Sequence, residues 1–276
     1  ELMLLSSKLS VPFFLIALFC MGEVHAQSSK VKRLPGYYLI AHRGGVVDST
    51  NAENSMPALE AAIRRGYDMV EMDMRLTKDG MLIINHDRNF KRYYGVDSAV
   101  SDMDWNRIQQ LRGPKGIRVV SLEQAFATCR KGHIQVMIDN KFEGYDTMLF
   151  ARVVALLNKY GLRKKAIMIG TDSSADYFTG KVRLSCTRHQ LEDNMKKPGY
   201  SPDHYYLFGN VKSITADDVQ WAKQNNIMVI AAVNIFSYHR NPDYLKQAAA
   251  DIAALKARGV KRFQIDSNFD GAFFLD

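Results

Sequence analysis

The chain has 276 residues, 47% of them hydrophobic and 24% charged, with a formal net charge of +8. That is ordinary globular composition, which excludes a disordered or fibrous chain and leaves enough apolar residues for a full core. Lys and Arg are scattered with no arginine-rich run, so the positive field suits a small anionic substrate and no nucleic acid is expected.

The first segment reads as a targeting signal. Lys8 precedes the apolar run Val11–Met21, and Val24-His25-Ala26 leads into the polar Gln27-Ser28-Ser29-Lys30. A charged start, a short apolar run and a small-residue end describe a secretory signal peptide cleaved after Ala26. The run falls short of the roughly 20 residues of a bilayer span, so no transmembrane anchor is expected after cleavage. The reading is a secreted or periplasmic protein with one domain at 27–276. Two cysteines then remain, Cys129 and Cys186. An oxidising compartment would let them pair, but two buried free thiols are the expected state.

From Tyr37 onward, β-rich runs alternate with amphipathic stretches. Strands are predicted at Tyr37–His42, Met69–Met74, Met81–His86, Ile134–Asn140, Ala166–Gly170, Val182–Cys186, Tyr205–Phe208, Ile227–Val233 and Arg262–Asp266. Helices are predicted at Ser55–Arg65, Leu122–Arg130, Thr147–Tyr160, Ala216–Asn225 and Pro242–Arg258. This rhythm argues for a parallel sheet covered by helices, and the length suits one TIM-type (β/α)8 barrel. One connection breaks the rhythm. Met69–Met74 reaches Met81 through Leu76-Thr77-Lys78-Asp79-Gly80, a turn with no room for a helix. The strand candidates exceed by one the eight of such a barrel, so either Val182–Cys186 or Tyr205–Phe208 is expected on the rim. No linker, repeat or low-complexity tract divides the chain.

Four consecutive predicted strands end in polar residues. The first ends in His42-Arg43-Gly44-Gly45, the second carries Glu71-Met72-Asp73, the third ends in Asn85-His86-Asp87, and the fourth in Asp139-Asn140-Lys141. A lone strand-end histidine or acid is ordinarily structural, or caps the next helix. Four in succession point to the catalytic face of a barrel. Alternation along a strand puts Glu71 and Asp73 on one face and Met72 on the other. Such a pair repels unless a cation neutralises it, and all-oxygen ligands favour Ca²⁺ or Mg²⁺ over Zn²⁺. Asp139 can supply a third carboxylate, with Lys141 as a positive charge beside it. Together with His42, His86 and Arg43, this is equipment for cleaving a small phosphodiester.

His42-Arg43-Gly44, Glu53-Asn54, Glu71-Met72-Asp73, Thr77-Lys78-Asp79-Gly80 and His86-Asp87 resemble the ordered signature of glycerophosphodiester phosphodiesterases. The likeness is dense over Ala41–Asp87 and thinner through Val120–Ala125, Asp139–Lys141, Val233–Asn234 and Gly259–Asp266. It implies a TIM barrel with a helix-less connection between the second and third strands. It also implies His42 and His86 as the acid–base pair, and a divalent cation on Glu71, Asp73 and Asp139. Arg43 and Lys141 would hold phosphate oxygens, while Glu53 and Asn54 orient the first loop. The implied reaction is hydrolysis of a glycerophosphodiester to an alcohol and a phosphomonoester through a cyclic phosphate.

Three rivals stand beside this reading: a phospholipase-D-like lyase that stops at the cyclic phosphate, a non-catalytic barrel binding phosphorylated ligands, and a metal-dependent sugar isomerase or aldolase on the same fold. The chain also departs from the family pattern. Asp139 stands where Glu is usual, Ile265-Asp266 replaces Thr-Asp, and Ala231-Ala232-Val233-Asn234 replaces Trp-Thr-Val-Asn. The missing tryptophan at Ala231 is expected to widen the pocket and favour a bulkier diester.

Overall fold

A computed structural model describes residues 32–238 and 240–275; the leader read at 1–26 lies outside them. Eight parallel strands close a barrel in sequence order: Tyr38–Ala41, Met69–Leu76, Gln135–Asn140, Ile167–Ile169, Arg183–Cys186, Tyr205–Gly209, Met228–Val233 and Arg262–Ile265. The last pairs back onto the first, Ile265 opposite Ala41, and the first pairs onto the second. Alternate side chains explain why these strands read as apolar runs, since both faces are covered. Leu39, Val70, Met72, Ile138, Leu207 and Phe263 pack against the helices. Ile40, Met69, Met137, Ile167, Tyr206 and Ile230 fill the interior.

Five helices, Met56–Arg65, Leu122–Lys131, Thr147–Lys159, Ala216–Gln224 and Tyr244–Ala257, fall on the predicted stretches. Their starts follow from local chemistry. Ser55 accepts from the Ala58 amide, Pro57 lies in that first turn, and Gly66 closes the helix in the left-handed region. Ser121 and Gln124 cap each other reciprocally. Asp172–Phe178 and Arg188–Met195 are helices that the sequence pattern does not announce. Both are short and polar, so little apolar periodicity marks them.

The surplus strand is not where it was expected. Both the Val182–Cys186 and Tyr205–Phe208 segments contribute strands to the ring. The strand outside it comes from Met81–His86: Leu82–Ile84 pairs antiparallel with the far end of Met69–Leu76 and with Val120–Ser121. The reason is geometric. A short turn can only return the chain antiparallel, whereas a parallel neighbour needs a longer crossover. The helix-less connection is therefore present, but it opens a hairpin excursion. Leu122–Lys131 is the helix that leads into the third barrel strand. The excursion has a small core of its own, in which Ile83, Phe90, Val100, Met103, Ile108 and Val119 pack together. Cys129 and Cys186 are both free and buried, and burial pushes the Cys129 thiol up to about 12.

Candidate active site

The first barrel strand ends at Ala41, and the chain turns sharply through His42-Arg43-Gly44-Gly45. Arg43 and Asn54 both sit in the left-handed region, at φ 53° and 50°, a conformation that costs a non-glycine residue about 1–2 kcal/mol. Tight packing holds them there. A Cβ on Gly45 would lie 2.0 Å from the Ala58 carbonyl oxygen, and one on Gly44 would lie 2.6 Å from the Asn54 Cα. Only glycine lets this loop seat against the start of the helix Met56–Arg65. The loop is tied to the second strand as well. The Arg43 amide donates to Glu71 Oε2 at 2.7 Å and the Gly44 amide to the Glu71 carbonyl at 2.6 Å.

Glu71 and Asp73 point into the barrel mouth, as alternation requires, while Met72 joins the helix-facing core. Asp139 reaches them from the third barrel strand, where it pairs directly opposite Asp73. One carboxylate oxygen from each of Glu71, Asp73 and Asp139 lies within 4.8 Å of the other two. Burial, reinforced by Asp73 and Asp139, pushes the Glu71 carboxyl well above its ordinary range. Burial also raises Asp139, against the pull of Lys141. Lys141 Nζ lies 2.6 Å from Asp139 and 3.3 Å from Asp73. Burial works against the charge on that lysine, but the two acids outweigh it and raise its pKa. Asn54 donates to Asp73 Oδ2 at 2.8 Å.

The donor set fits a hard divalent cation. Glu71 Oε1 is buried with no hydrogen-bond partner among the described residues, a costly state that a metal ligand bond would end. All three candidate ligands are oxygen donors, the chemistry of Ca²⁺ or Mg²⁺. A second cluster, Glu53, His86 and Asp87, is as close-knit, but guanidinium groups already neutralise it. Arg92 bonds both Glu53, at 2.6 Å, and Asp87, at 2.7 and 2.8 Å, and Arg43 bonds Glu53 at 2.8 Å.

Two histidines border the acids. His42 places Nδ1 2.6 Å from Asp266 Oδ1, and its Nε2 lies 3.9 Å from Glu71 Oε2. The other oxygen of Asp266 accepts from the Ile235 amide at 2.6 Å, which aims the carboxylate at the ring. Burial works to raise Asp266, but the hydrogen bond and charge of His42 outweigh it and hold that carboxyl below its ordinary value. His86 Nε2 accepts from Arg43 Nη2 at 3.2 Å, so its Nδ1 carries the proton and donates to Asp87 at 3.0 Å. His86 does not lie on a barrel strand. The hairpin carries it over the mouth, and Arg75, one pleat beyond Asp73, grips the hairpin backbone. Its Nη2 donates to the His86 carbonyl at 2.6 Å and its Nε to the Asn85 carbonyl at 3.1 Å.

His42, Arg43, Glu53, Asn54, Glu71, Asp73, His86, Asp139 and Lys141 thus form one continuous network. Sequence reasoning quoted Asp87 and Asp266 among the strand-end and signature residues without giving them a role, and it missed Arg92 and Arg75. Asp266 follows directly on the last barrel strand, so the strand-end argument applied to the first four strands would have given it one. Arg92 carries no such signal, because its position depends on how the hairpin folds. The place at the pocket mouth expected for Ala231 is overturned. Its side chain is fully buried in the layer between barrel and helices, not at the mouth. The premise for a wider mouth therefore fails. A cavity of about 740 Å³ at the amino-terminal end of the barrel, lined by Tyr38, Arg183 and Arg262 among others, contains none of the network.

With this geometry in hand, the chain can be set beside known proteins. A family model described as the glycerophosphoryl diester phosphodiesterase family matches residues 42–261. The lysophospholipase D GDPD1 of Homo sapiens is 42% identical over 66 residues, which is 24% of this chain and 20% of that protein. The alignment with that curated relative therefore spans a fifth of its length. A glycerophosphoryl diester phosphodiesterase from Parabacteroides distasonis has a TM-score of 0.69 at 20% identity, covering 89% of each chain. A phosphodiesterase of Oleispira antarctica, solved in complex with the product sn-glycerol-3-phosphate, has a TM-score of 0.66 at 17% identity. That match covers 85% of this chain and 96% of the other. At such identities the structural likeness is one of fold.

Proposed function

The chain belongs to the glycerophosphoryl diester phosphodiesterase family, and on that premise we propose that it hydrolyses glycerophosphodiester-type substrates to an alcohol and a phosphomonoester. The observation that carries the reading is the pair of histidines beside three converging carboxylates, each histidine with its Nδ1 on an aspartate. Paired acid–base groups next to a hard-cation site are what phosphodiester cleavage needs.

The reaction runs in two balanced halves. A hydroxyl of the substrate attacks phosphorus and gives its proton to His42 Nε2. The bond from phosphorus to the leaving alcohol breaks, and His86, entering the cycle as the imidazolium with Nε2–H turned from Arg43 to that oxygen, supplies its proton. Water then attacks the cyclic phosphate and gives a proton to His86, while the ring oxygen that departs takes one from His42. Arg43 and Lys141 bind phosphate oxygens, and Glu53 and Asn54 hold Arg43 and Asp73 in place. Ca²⁺ or Mg²⁺ on Glu71, Asp73 and Asp139 would supply Lewis-acid charge at a phosphate oxygen.

The cleavage pattern at Ala26 supports export to the periplasm or the medium, with 27–276 as the working domain. No helix among the described residues is long and apolar enough to cross a membrane. The test is turnover of glycerophosphodiesters and lysophospholipids with added Ca²⁺ or Mg²⁺, followed by phosphorus NMR. A phosphomonoester product, lost on chelation and on His42→Ala or His86→Ala, is expected. Accumulation of a cyclic phosphate as the final product would assign the lyase instead, and no turnover of any diester would leave the barrel a binding protein.

A further inference from the structure

A cavity of about 450 Å³ flanks the carboxylate cluster, walled by the end of the second barrel strand, the hairpin and the loop after Asn140. Lys141 belongs to both, since it lines the cavity and its Nζ contacts Asp139 and Asp73. Arg75, Lys78 and Arg88 line it too. Glu143 is its one acid, and it is already paired with Arg88 at 2.8 Å. Lys78 has no ion-pair partner among the described residues. Leu76, Val100 and Phe142 supply an apolar wall. Charge on an open rim is ordinarily solvated. Here the cations line a concavity that shares Lys141 with the acids, so a group bound at the acids lies beside its opening.

We propose that this groove receives the alcohol that the enzyme releases, and that it selects diesters whose leaving alcohol carries an anionic group over those ending in a quaternary ammonium. The inference rests on the phosphodiesterase reading. A quaternary ammonium is recognised by aromatic faces or free carboxylates. The groove offers neither in usable form. Phe142 is packed edge-on with Phe150 at a centroid distance of 6.1 Å, and Glu143 is engaged by Arg88. A phosphate or carboxylate on the alcohol meets Lys78 at the rim instead, together with the guanidinium hydrogens that Arg88 does not give to Glu143. Each such contact at an exposed, screened site changes affinity by about two- to fivefold.

The experiment compares kcat/KM for glycerophosphocholine and for glycerophosphoinositol 4-phosphate, in the parent enzyme and in Lys78→Glu and Arg88→Glu. The parent is expected to prefer the phosphorylated diester by about fivefold or more, a preference that shrinks as salt is added. Each charge reversal should lower that ratio by about fivefold while leaving turnover of the choline ester intact. Equal or better turnover of the choline ester by the parent, or a ratio unmoved by both reversals, overturns the proposal. Calorimetry with inositol 4-phosphate separates this from a failure of the hydrolase reading. If no diester is cleaved, binding that is lost in Lys78→Glu still supports the groove, and binding that is absent or unchanged overturns it.

Discussion

His42 works as a base only if its Nε2 carries a lone pair, and Asp266 secures that tautomer by accepting the Nδ1 proton at 2.6 Å. In Asp266→Asn, the amide keeps an oxygen for the Ile235 N–H and turns its NH₂ toward His42. The ring must then accept at Nδ1 and carry its proton on Nε2. We expect kcat to fall by about a hundredfold or more with the fold retained, read by steady-state kinetics beside circular dichroism. Near-normal kcat would remove Asp266 from the machinery. The acids make a second residue-scale prediction. Burial raises the folded-state pKa of Glu71 above its ordinary value of 4.5, so the metal-free native protein binds more protons there than the unfolded chain does. The sign follows: stability of the chelated protein falls as pH rises from about 4.5 toward the raised value. Metal affinity strengthens over the same window, because the bound proton must leave. Thermal melts of the chelated protein across pH should show that slope, and Glu71→Gln should flatten it and abolish the rise in Tm on adding Ca²⁺ or Mg²⁺.

The element that most needs explanation is the hairpin between the second and third barrel strands. It delivers His86, Asp87 and Arg92 to a site whose other members stand on barrel strands or on the loops that directly follow them, so its register decides whether the second histidine reaches the mouth. Arg75 supplies that register through forked bonds to the Asn85 and His86 carbonyls, and a lysine cannot reproduce a planar fork. Arg75→Lys is therefore expected to lower kcat about tenfold or more with a smaller change in KM and an unchanged circular dichroism spectrum. If kcat survives, the hydrophobic cluster around Ile83 and Phe90 positions the hairpin without help. The turn Thr77-Lys78-Asp79-Gly80 was legible as a helix-less connection. Its consequence was not, because period-two alternation marks a strand without saying which neighbour it pairs with.

At the scale of the whole molecule, the barrel separates two functions of each strand. Outward residues hold the helices, and inward residues at the carboxyl ends carry the chemistry. Ala231 shows how far a one-residue difference in facing matters. Placed at the mouth by comparison of motifs, it lies in the helix-facing layer with no exposed surface. Ala231→Trp should accordingly overpack that layer and destabilise the protein by about 1–3 kcal/mol or more, seen as a lower denaturation midpoint. The ranking of small and bulky diesters should not move. A changed ranking in a well-folded variant would show that this position reaches the substrate after all.

Periodicity and strand-end chemistry in the sequence were enough to determine the barrel class, the shared face of Glu71 and Asp73, and the place of His42 at the end of the first strand, because alternation along a strand is a local property of the backbone. Asp139 was legible for the same reason. What only the tertiary structure decided is everything that depends on which segments become neighbours. Asp266 meets His42 because the eighth strand closes on the first. Arg92 meets Glu53 and Asp87 because the hairpin folds back over the mouth. Lys141 stands between Asp73 and Asp139 because their strands pair in register. Ring closure, hairpin register and the face a side chain takes are settled by long-range pairing, and no local pattern of residues encodes them by itself.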